Sequence, residues 1–330
     1  MYIVSDLSHP YQSLTQDKII DLVESLGFYS DGRTFPLNSY ENRVYQVGIE
    51  ESTPVIIKVY RPNRWTRTQI QEEHDFQWEL ANADINVVPP LLIDGKTLHE
   101  KDDFLFCLYE RRSGRPLELD QLDQLYEVGT QLGRIHSIAK AKQFNSRPEL
   151  NVETFGQQSI EIVQQSGLLP NYLIEPYQVL TGQLLDIMRQ CWSAHAPNQI
   201  RLQGDFHPGN ILIRDEESLF VDFDDCRNGP AIQDIWMLLS GDRHQQETQL
   251  CEIREGYEMF CEFPTEQMGL IETMRTLRQL HYAAWLTSRW DDPAFPHNFP
   301  WFGQERYWSE HILSLKEQLA ALQEPPLKLL

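Results

Sequence analysis

No run of apolar residues in this 330-residue sequence approaches the roughly 18 that a membrane-spanning helix needs, so no such helix is expected. Positive charge is also scarce. Against 49 Asp and Glu stand 28 Lys and Arg, and the net charge of −21 at pH 7 repels nucleic acid and anionic membrane surfaces as general partners. The five cysteines, Cys107, Cys191, Cys226, Cys251 and Cys261, are odd in number and form no C-x-x-C pair. Neither a disulfide framework nor a zinc site is therefore indicated, and the thiols suit a reducing compartment. The opening MYIVSDLSHP has neither the basic start nor the apolar core of a signal peptide, and a cytosolic protein is expected. Internal repeats, low-complexity segments and separable linkers are missing too. What is present, 41% hydrophobic and 11% aromatic residues, is the composition of a well-folded globule long enough for two lobes.

The chemistry gathers in residues 201–225, RLQGDFHPGNILIRDEESLFVDFDD. Asp205 sits in a loop opened by Gly204 and closed by Pro208 and Gly209, five residues ahead of Asn210. Ile211-Leu212-Ile213 and Leu219-Phe220-Val221 are β-rich runs bridged by the polar residues 214–218, and they read as a hairpin whose second strand ends on Asp222. Such a hairpin brings Asn210 and Asp222 together at one end. A side-chain carbonyl beside a carboxylate suits Mg²⁺ held jointly with phosphate oxygens. Asp205, ahead of that pair, is left to orient a hydroxyl and accept its proton. One Asp in a loop is more often a cap or turn former, so the joint spacing carries this reading.

D-x-x-x-x-N followed by a short hairpin ending in a carboxylate resembles the catalytic and metal-binding loops of protein kinases. GDFHPGNIL with VDFDD is more closely similar to the aminoglycoside-phosphotransferase and choline-kinase branch of that superfamily. Where that branch usually has His before Gly-Asp, this chain has Gln203. Taken with NSYENRVY, IIKVYRP, EEHDF, LGRIHS, FVDFDDCRNGPAIQDIWMLL and DPAFPHNFPW, the chain resembles the bacterial stress response kinase A family over nearly its whole length. That family is described as serine/threonine protein kinases on an aminoglycoside-kinase-like fold. The resemblance implies an α+β, bilobal, protein-kinase-like architecture. A nucleotide-binding lobe of antiparallel sheet and helices would span residues 1–110 and a mainly helical catalytic and substrate lobe residues 111–330, with ATP and Mg²⁺ between them. It also implies transfer of the γ-phosphate to a Ser/Thr hydroxyl on protein, the chain itself included, in a stress response. From the residues alone follows only phosphoryl transfer to a hydroxyl. A small-molecule kinase acting on an amino alcohol, aminoglycoside or sugar, and a non-catalytic nucleotide-binding regulator, stay open as alternatives. A monomer without nucleic-acid or membrane partners is expected.

In the first lobe, Thr15 caps a helix with Ile19, Leu22, Val23 and Leu26 on one face and Gly27 at its end. Val44, Tyr45 and Val47 read as strand after a polar turn over residues 38–42. In a kinase-like fold this turn holds the place of the phosphate-covering loop, and Ser39 and Asn42 are its candidate phosphate ligands. Residues 55–60, VIIKVY, form an apolar strand with one cation, Lys58, either at an exposed edge or on a phosphate. A helix over about residues 68–81 puts Glu73 within the arc of Ile70, Phe76 and Leu80, with Glu72 as the alternative if the helix is rotated. Lys58 with Glu73 resembles the kinase pair that positions ATP phosphates. Residues 87–91 and 104–109 are read as the remaining strands. Residues 110–116, charged and with turn formers, are read as the hinge, and resemblance and position imply that backbone groups near Leu108 to Glu110 face the adenine.

From Leu119 onward the pattern is helical. Leu122, Leu125, Gly129, Leu132 and Ile135 make one stripe, and His136 reads as a satisfied helix residue rather than a base. Residues 173–194, 268–290 and 306–322 are expected helices, whereas 151–199 shows no chemistry. Asp234, by resemblance, buttresses the catalytic loop. DDPAFPHNFPWF is expected to be a packed loop over the C-terminal lobe.

Overall fold

Thr15 accepts a hydrogen bond from the Lys18 amide and so starts α1 (Gln16–Glu24) in the computed structural model, which describes residues 10–195 and 197–329. Ile19, Leu22 and Val23 are fully buried on its inner face, and Gly27, at φ +84°, turns the chain away. They pack on a five-stranded antiparallel sheet made of β1 (Ser30–Pro36), β2 (Arg43–Ile49), β3 (Val55–Val59), β4 (His99–Lys101) and β5 (Phe104–Glu110), in the order β1-β2-β3-β5-β4. Between β3 and β4, Thr66 and Gln69 close a reciprocal capping box on α2 (Arg67–Asn82), whose Ile70, Glu73, Phe76 and Leu80 are buried. The chain divides into two compact units. The first runs to Ser113 and includes Asp292–Ala294; the second comprises Gly114–Asp291 and Phe295–Leu330.

Two expectations fail in the first unit. Residues 87–91 form no strand, because Pro89 and Pro90 have no amide hydrogen to offer; the Leu91 amide donates to Leu108 O at 2.7 Å. The strand beside β5 is instead β4, a three-residue edge of sequence HEK. Part of DDPAFPHNFPWF also lies elsewhere than expected. Asp292, 5% exposed, receives Arg61 Nη2 at 2.7 Å, a pairing that binds residues 292–294 into the first unit. The aromatic residues after it pack as foreseen, with Phe295 and Phe299 edge-on to Trp285.

The second unit is mainly helical. Its strands are β6 (Arg115–Pro116), β7 (Gln199–Leu202), β8 (Ile211–Arg214), β9 (Glu217–Phe220) and β10 (Arg227–Pro230), in sheets β6-β8-β9 and β10-β7. Its helices are α3 (Leu122–Ala139), α4 (Gln158–Gln165), α5 (Asn171–His195), α6 (Gln233–Trp236), α7 (Arg243–Tyr257), α8 (Ile271–Ser288), α9 (Ala294–Asn298), which begins at the edge of the first unit, and α10 (Glu305–Ala321). Gly129 and Gly133 of α3 lie against α7 so closely that a Cβ on either would fall 2.3 or 2.4 Å from Ile253 O or Tyr257 O. Helix α7 returns the fit with Gly256 against Tyr126 O. The expected hairpin is present but tighter than drawn. Ile211 pairs with Phe220 and Arg214 with Glu217, leaving only Asp215 and Glu216, both at positive φ, as the turn. Its second strand stops at Phe220, two residues short of Asp222.

Candidate active site

The loop of residues 203–210 is fixed by Asp234, which is fully buried in the first turn of α6. Its Oδ2 accepts from the Gln203 amide and its Oδ1 from the Gly204 amide, both at 2.9 Å. Two bonds from backbone amides to a carboxylate stabilise the loop by about 1.5–3 kcal/mol each. His136 completes the support, with Nε2 3.4 Å from Asp234 Oδ2 and Nδ1 2.9 Å from the Tyr257 hydroxyl. The histidine is thus a satisfied packing residue. Gly204 is at φ +88°, and a Cβ there would lie 2.3 Å from Asp225 O, so the turn that presents Asp205 admits no side chain.

Gln203 ties this loop to the end of the hairpin. Its Oε1 accepts from the Asp205 amide at 2.8 Å, while Nε2 donates to Asp222 O at 2.5 Å and Val221 O at 3.2 Å. Asn210 closes the ring: Nδ2 donates to Asp205 O at 3.0 Å, and its own carbonyl receives the Val221 amide at 3.0 Å. Asp205, Asn210 and Asp222 are therefore held in one frame by direct bonds. Asp222 has φ +54°, the left-handed region, which costs a non-glycine residue about 1–2 kcal/mol and which Asp tolerates better than most. Strain of this sort persists where the surroundings enforce it, and here the enforcing contacts come from Gln203 and Asn210.

Asp205 is one-quarter exposed and meets two donors, Arg278 Nη1 at 2.6 Å on Oδ1 and His207 Nε2 at 3.4 Å on Oδ2. Burial pushes its carboxyl up, but the His207 bond and the Arg278 charge outweigh burial and hold it well below the usual carboxylate range. Asp205 is therefore ionised at neutral pH.

The first unit brings together the other expected pair. Lys58 Nζ donates to Glu73 Oε1 at 3.0 Å, with Lys58 5% exposed and Glu73 fully buried. Gln77 Nε2 gives Glu73 a further, longer bond at 3.4 Å. The Lys58 ammonium also lies 4.9 Å over the Tyr60 ring, and burial pushes the neighbouring Cys107 thiol up to about 12, so it stays neutral beside the pair. Glu72 is half-buried, so the helix keeps the register that turns Glu73 inward. In the 38–42 turn, Ser39 Oγ donates to Asn42 O at 3.1 Å, and Asn42 Oδ1 accepts from the Arg61 amide at 3.1 Å. The Asn42 carbonyl oxygen is thereby committed to the turn itself. Glu110 ends β5 opposite Val55, exposed and paired with Arg112 at 2.7 Å.

A model of the phosphotransferase enzyme family matches residues 34–279. The chain is 41% identical over 326 residues to the serine/threonine protein kinase RdoA of Salmonella typhimurium, covering 99% of each, and 43% identical over 319 residues to stress response kinase A of Shigella flexneri, covering 97% of each. This chain belongs to the stress response kinase A family. It is accordingly a phosphotransferase. Among solved structures, an amicoumacin kinase in complex with AMP-PNP and Ca²⁺ shares its fold, with a TM-score of 0.72, 21% identity and coverage of 94% of this chain and 95% of that one.

Two contributors at the site of this family member escaped the sequence reading. Arg278 lies 73 residues from Asp205 on a helix whose pattern marks it only as a surface cation, and nothing local announces the contact. Gln203 stood out only as a departure from the usual His, without a sign that one amide would make three bonds. No helix among the described residues is long and apolar enough to cross a membrane.

Proposed function

We propose that this chain is an ATP-dependent kinase that moves the γ-phosphate to a serine or threonine hydroxyl on protein, its own chain included, in a stress response. The observation that carries the reaction class is the bonded frame that holds Asp205, Asn210 and Asp222 together through Gln203. With Nδ2 tied to Asp205 O, the Asn210 amide keeps an oxygen that takes no hydrogen bond among the described residues. Asn210 Oδ1 and the Asp222 carboxylate form a two-oxygen set suited to a hard divalent ion that shares phosphate oxygens, and we assign Mg²⁺ to it. When bound, such an ion neutralises charge on the transferring phosphate.

The chain's own groups do the remaining work. Lys58, fixed by Glu73, pairs with the α- and β-phosphates, the 38–42 turn offers Ser39 and Asn42 to phosphate oxygens, and backbone near Glu110 meets the adenine. Asp205 aligns the acceptor hydroxyl. The hydroxyl oxygen bonds to the γ-phosphorus, the bond to the β–γ bridging oxygen breaks, and the hydroxyl proton passes to Asp205 and on to solvent. A carboxylate held so far below its ordinary range is a weak proton acceptor, so alignment is its larger contribution and the proton leaves late, as a loose transition state allows.

The protein acceptor is supported by the serine/threonine protein kinase among the relatives. A small-molecule acceptor is the second reading, favoured by the fold shared with the amicoumacin kinase. Incubation with γ-labelled ATP and Mg²⁺, together with generic protein substrates and a panel of amino alcohols, tests the two, with phosphosites mapped by mass spectrometry. The proposal expects phosphoserine or phosphothreonine; turnover of an amino alcohol with no phosphoprotein formed at stoichiometric enzyme would overturn it.

A further inference from the structure

Arg278 of α8 gives one hydrogen bond, from Nη1 to Asp205 Oδ1 at 2.6 Å. Its side chain is 43% exposed, and its other N–H groups take no partner among the described residues. A guanidinium carries five N–H donors in a fixed fork that matches carboxylate and phosphate geometry. Most of that fork is left over, in solvent, beside the carboxylate that is to receive the acceptor hydroxyl. His207 Nε2, 3.4 Å from the other oxygen of Asp205, is a second donor. A hydroxyl that reaches Asp205 thus meets a carboxylate already held by two donors, one of them a permanent cation.

Resting on the protein-kinase reading above, we infer that Arg278 selects the acceptor by charge: it favours a serine or threonine with a carboxylate beside it and disfavours an acceptor that carries an amine. The net charge of −21 pulls the other way, toward cationic partners. That field is spread over the surface and screened beyond about 8–10 Å at physiological salt, whereas Arg278 is in contact with Asp205. At the point of transfer the nearby charge decides. Asp205 itself offers an amine little, since its charge is already answered by Arg278.

The test uses the full chain with serine peptides that differ only in flanking Asp, Ala or Lys, plus one amino alcohol, for wild type, Arg278→Gln, Arg278→Glu and Arg278→Lys. Wild type should prefer the acidic over the neutral peptide by about threefold to thirtyfold in kcat/KM, as one partly solvated charge pair predicts. The preference should sit in the peptide KM, with the KM for ATP unchanged. It should survive in Arg278→Lys, vanish in Arg278→Gln and invert in Arg278→Glu. Thermal unfolding of each variant shows whether the fold is kept, and the wild-type peptide series stands without any variant. Equal or Lys-favouring use of the peptides by wild type, or an acidic preference retained by folded Arg278→Glu, overturns the charge selection and leaves the protein-kinase reading standing. Phosphorylation of the amino alcohol with no peptide product overturns both.

Discussion

Replacing Gln203 by Leu removes the tie between the Asp205 loop and the hairpin end while keeping roughly the same shape. Three bonds go: the Asp205 amide loses Oε1, and Asp222 O and Val221 O lose Nε2. At about 0.5–1.5 kcal/mol for each neutral bond, the loss is about 1.5–4.5 kcal/mol. Against an ordinary stability of about 5–15 kcal/mol the fold survives, and for a unit of this size Tm should drop by about 3–18 °C. Activity should suffer more than stability. Asp222 is held in the left-handed region by these contacts, and once freed it relaxes away from Asn210, so kcat should fall by more than about tenfold and the Mg²⁺ requirement should rise. Gln203→Glu sharpens the test. Its carboxylate still accepts from the Asp205 amide but turns a negative oxygen toward two carbonyls, and it should be worse than Leu in both measurements. Differential scanning calorimetry and Mg²⁺-titrated turnover read the two effects. If Gln203→Leu kept both its Tm and its turnover, the tie would be incidental and the frame would have to be held by Asp234 and Asn210 alone.

Asp222→Asn should keep the fold, because Asn also tolerates φ +54°, while requiring far more Mg²⁺ for turnover; Asp222→Ala should show the same metal defect plus about 1–2 kcal/mol of lost stability in urea melts. Lys58→Met leaves Glu73 buried without its cation and should destabilise the first unit by about 3–5 kcal/mol, whereas Lys58→Met with Glu73→Gln should regain a large part of that; strict additivity in denaturation would show that the pair is not coupled. Asp205 has its folded pKa depressed below the unfolded value, so its contribution to stability is complete above about pH 5 and is lost as pH falls through the depressed pKa. Wild-type kcat/KM should therefore show no acid limb from Asp205 between pH 5 and 8, by order of the reference carboxylate range, and Arg278→Gln should move that limb upward, as a pH–rate profile would register.

Elements made by local rules were legible. Thr15 and Thr66 announce helix starts through their caps, the arc of Ile70, Glu73, Phe76 and Leu80 follows from helical period, and the hairpin follows from two β-rich runs with a polar break. The frame of Asp205, Asn210 and Asp222 was legible for the same reason, since all three lie within 18 residues on one strand-loop-hairpin. Polar edge strands were not. In β1, SDGRTFP is mostly exposed and carries no alternating pattern, and β4 is three polar or charged residues, so neither has a buried face to betray it. The misread 87–91 segment is the converse: an apolar run that looks like a strand but whose two prolines leave the ladder without amide donors. Arg278 and Asp292 were invisible because their partners lie 73 and 231 residues away, a distance that only the completed fold spans.

The glycines of α3 and α7 make that pair of helices a zero-clearance joint. Backbone rests on backbone at Gly129, Gly133 and Gly256, and even one methyl group would land 2.1–2.4 Å from a carbonyl oxygen. Close-packed interiors do not yield to such a wedge; the helices must part. The same two helices carry His136 and Tyr257, whose 2.9 Å bond is the lower rung of the prop beneath Asp234. A residue with no polar atom in its side chain thus sets the height at which the Asp205 loop is presented. Damage at Gly133 would reach the chemistry as a change of spacing, passed up through a hydrogen-bond strut, and would resemble a worn bearing more than a missing tooth.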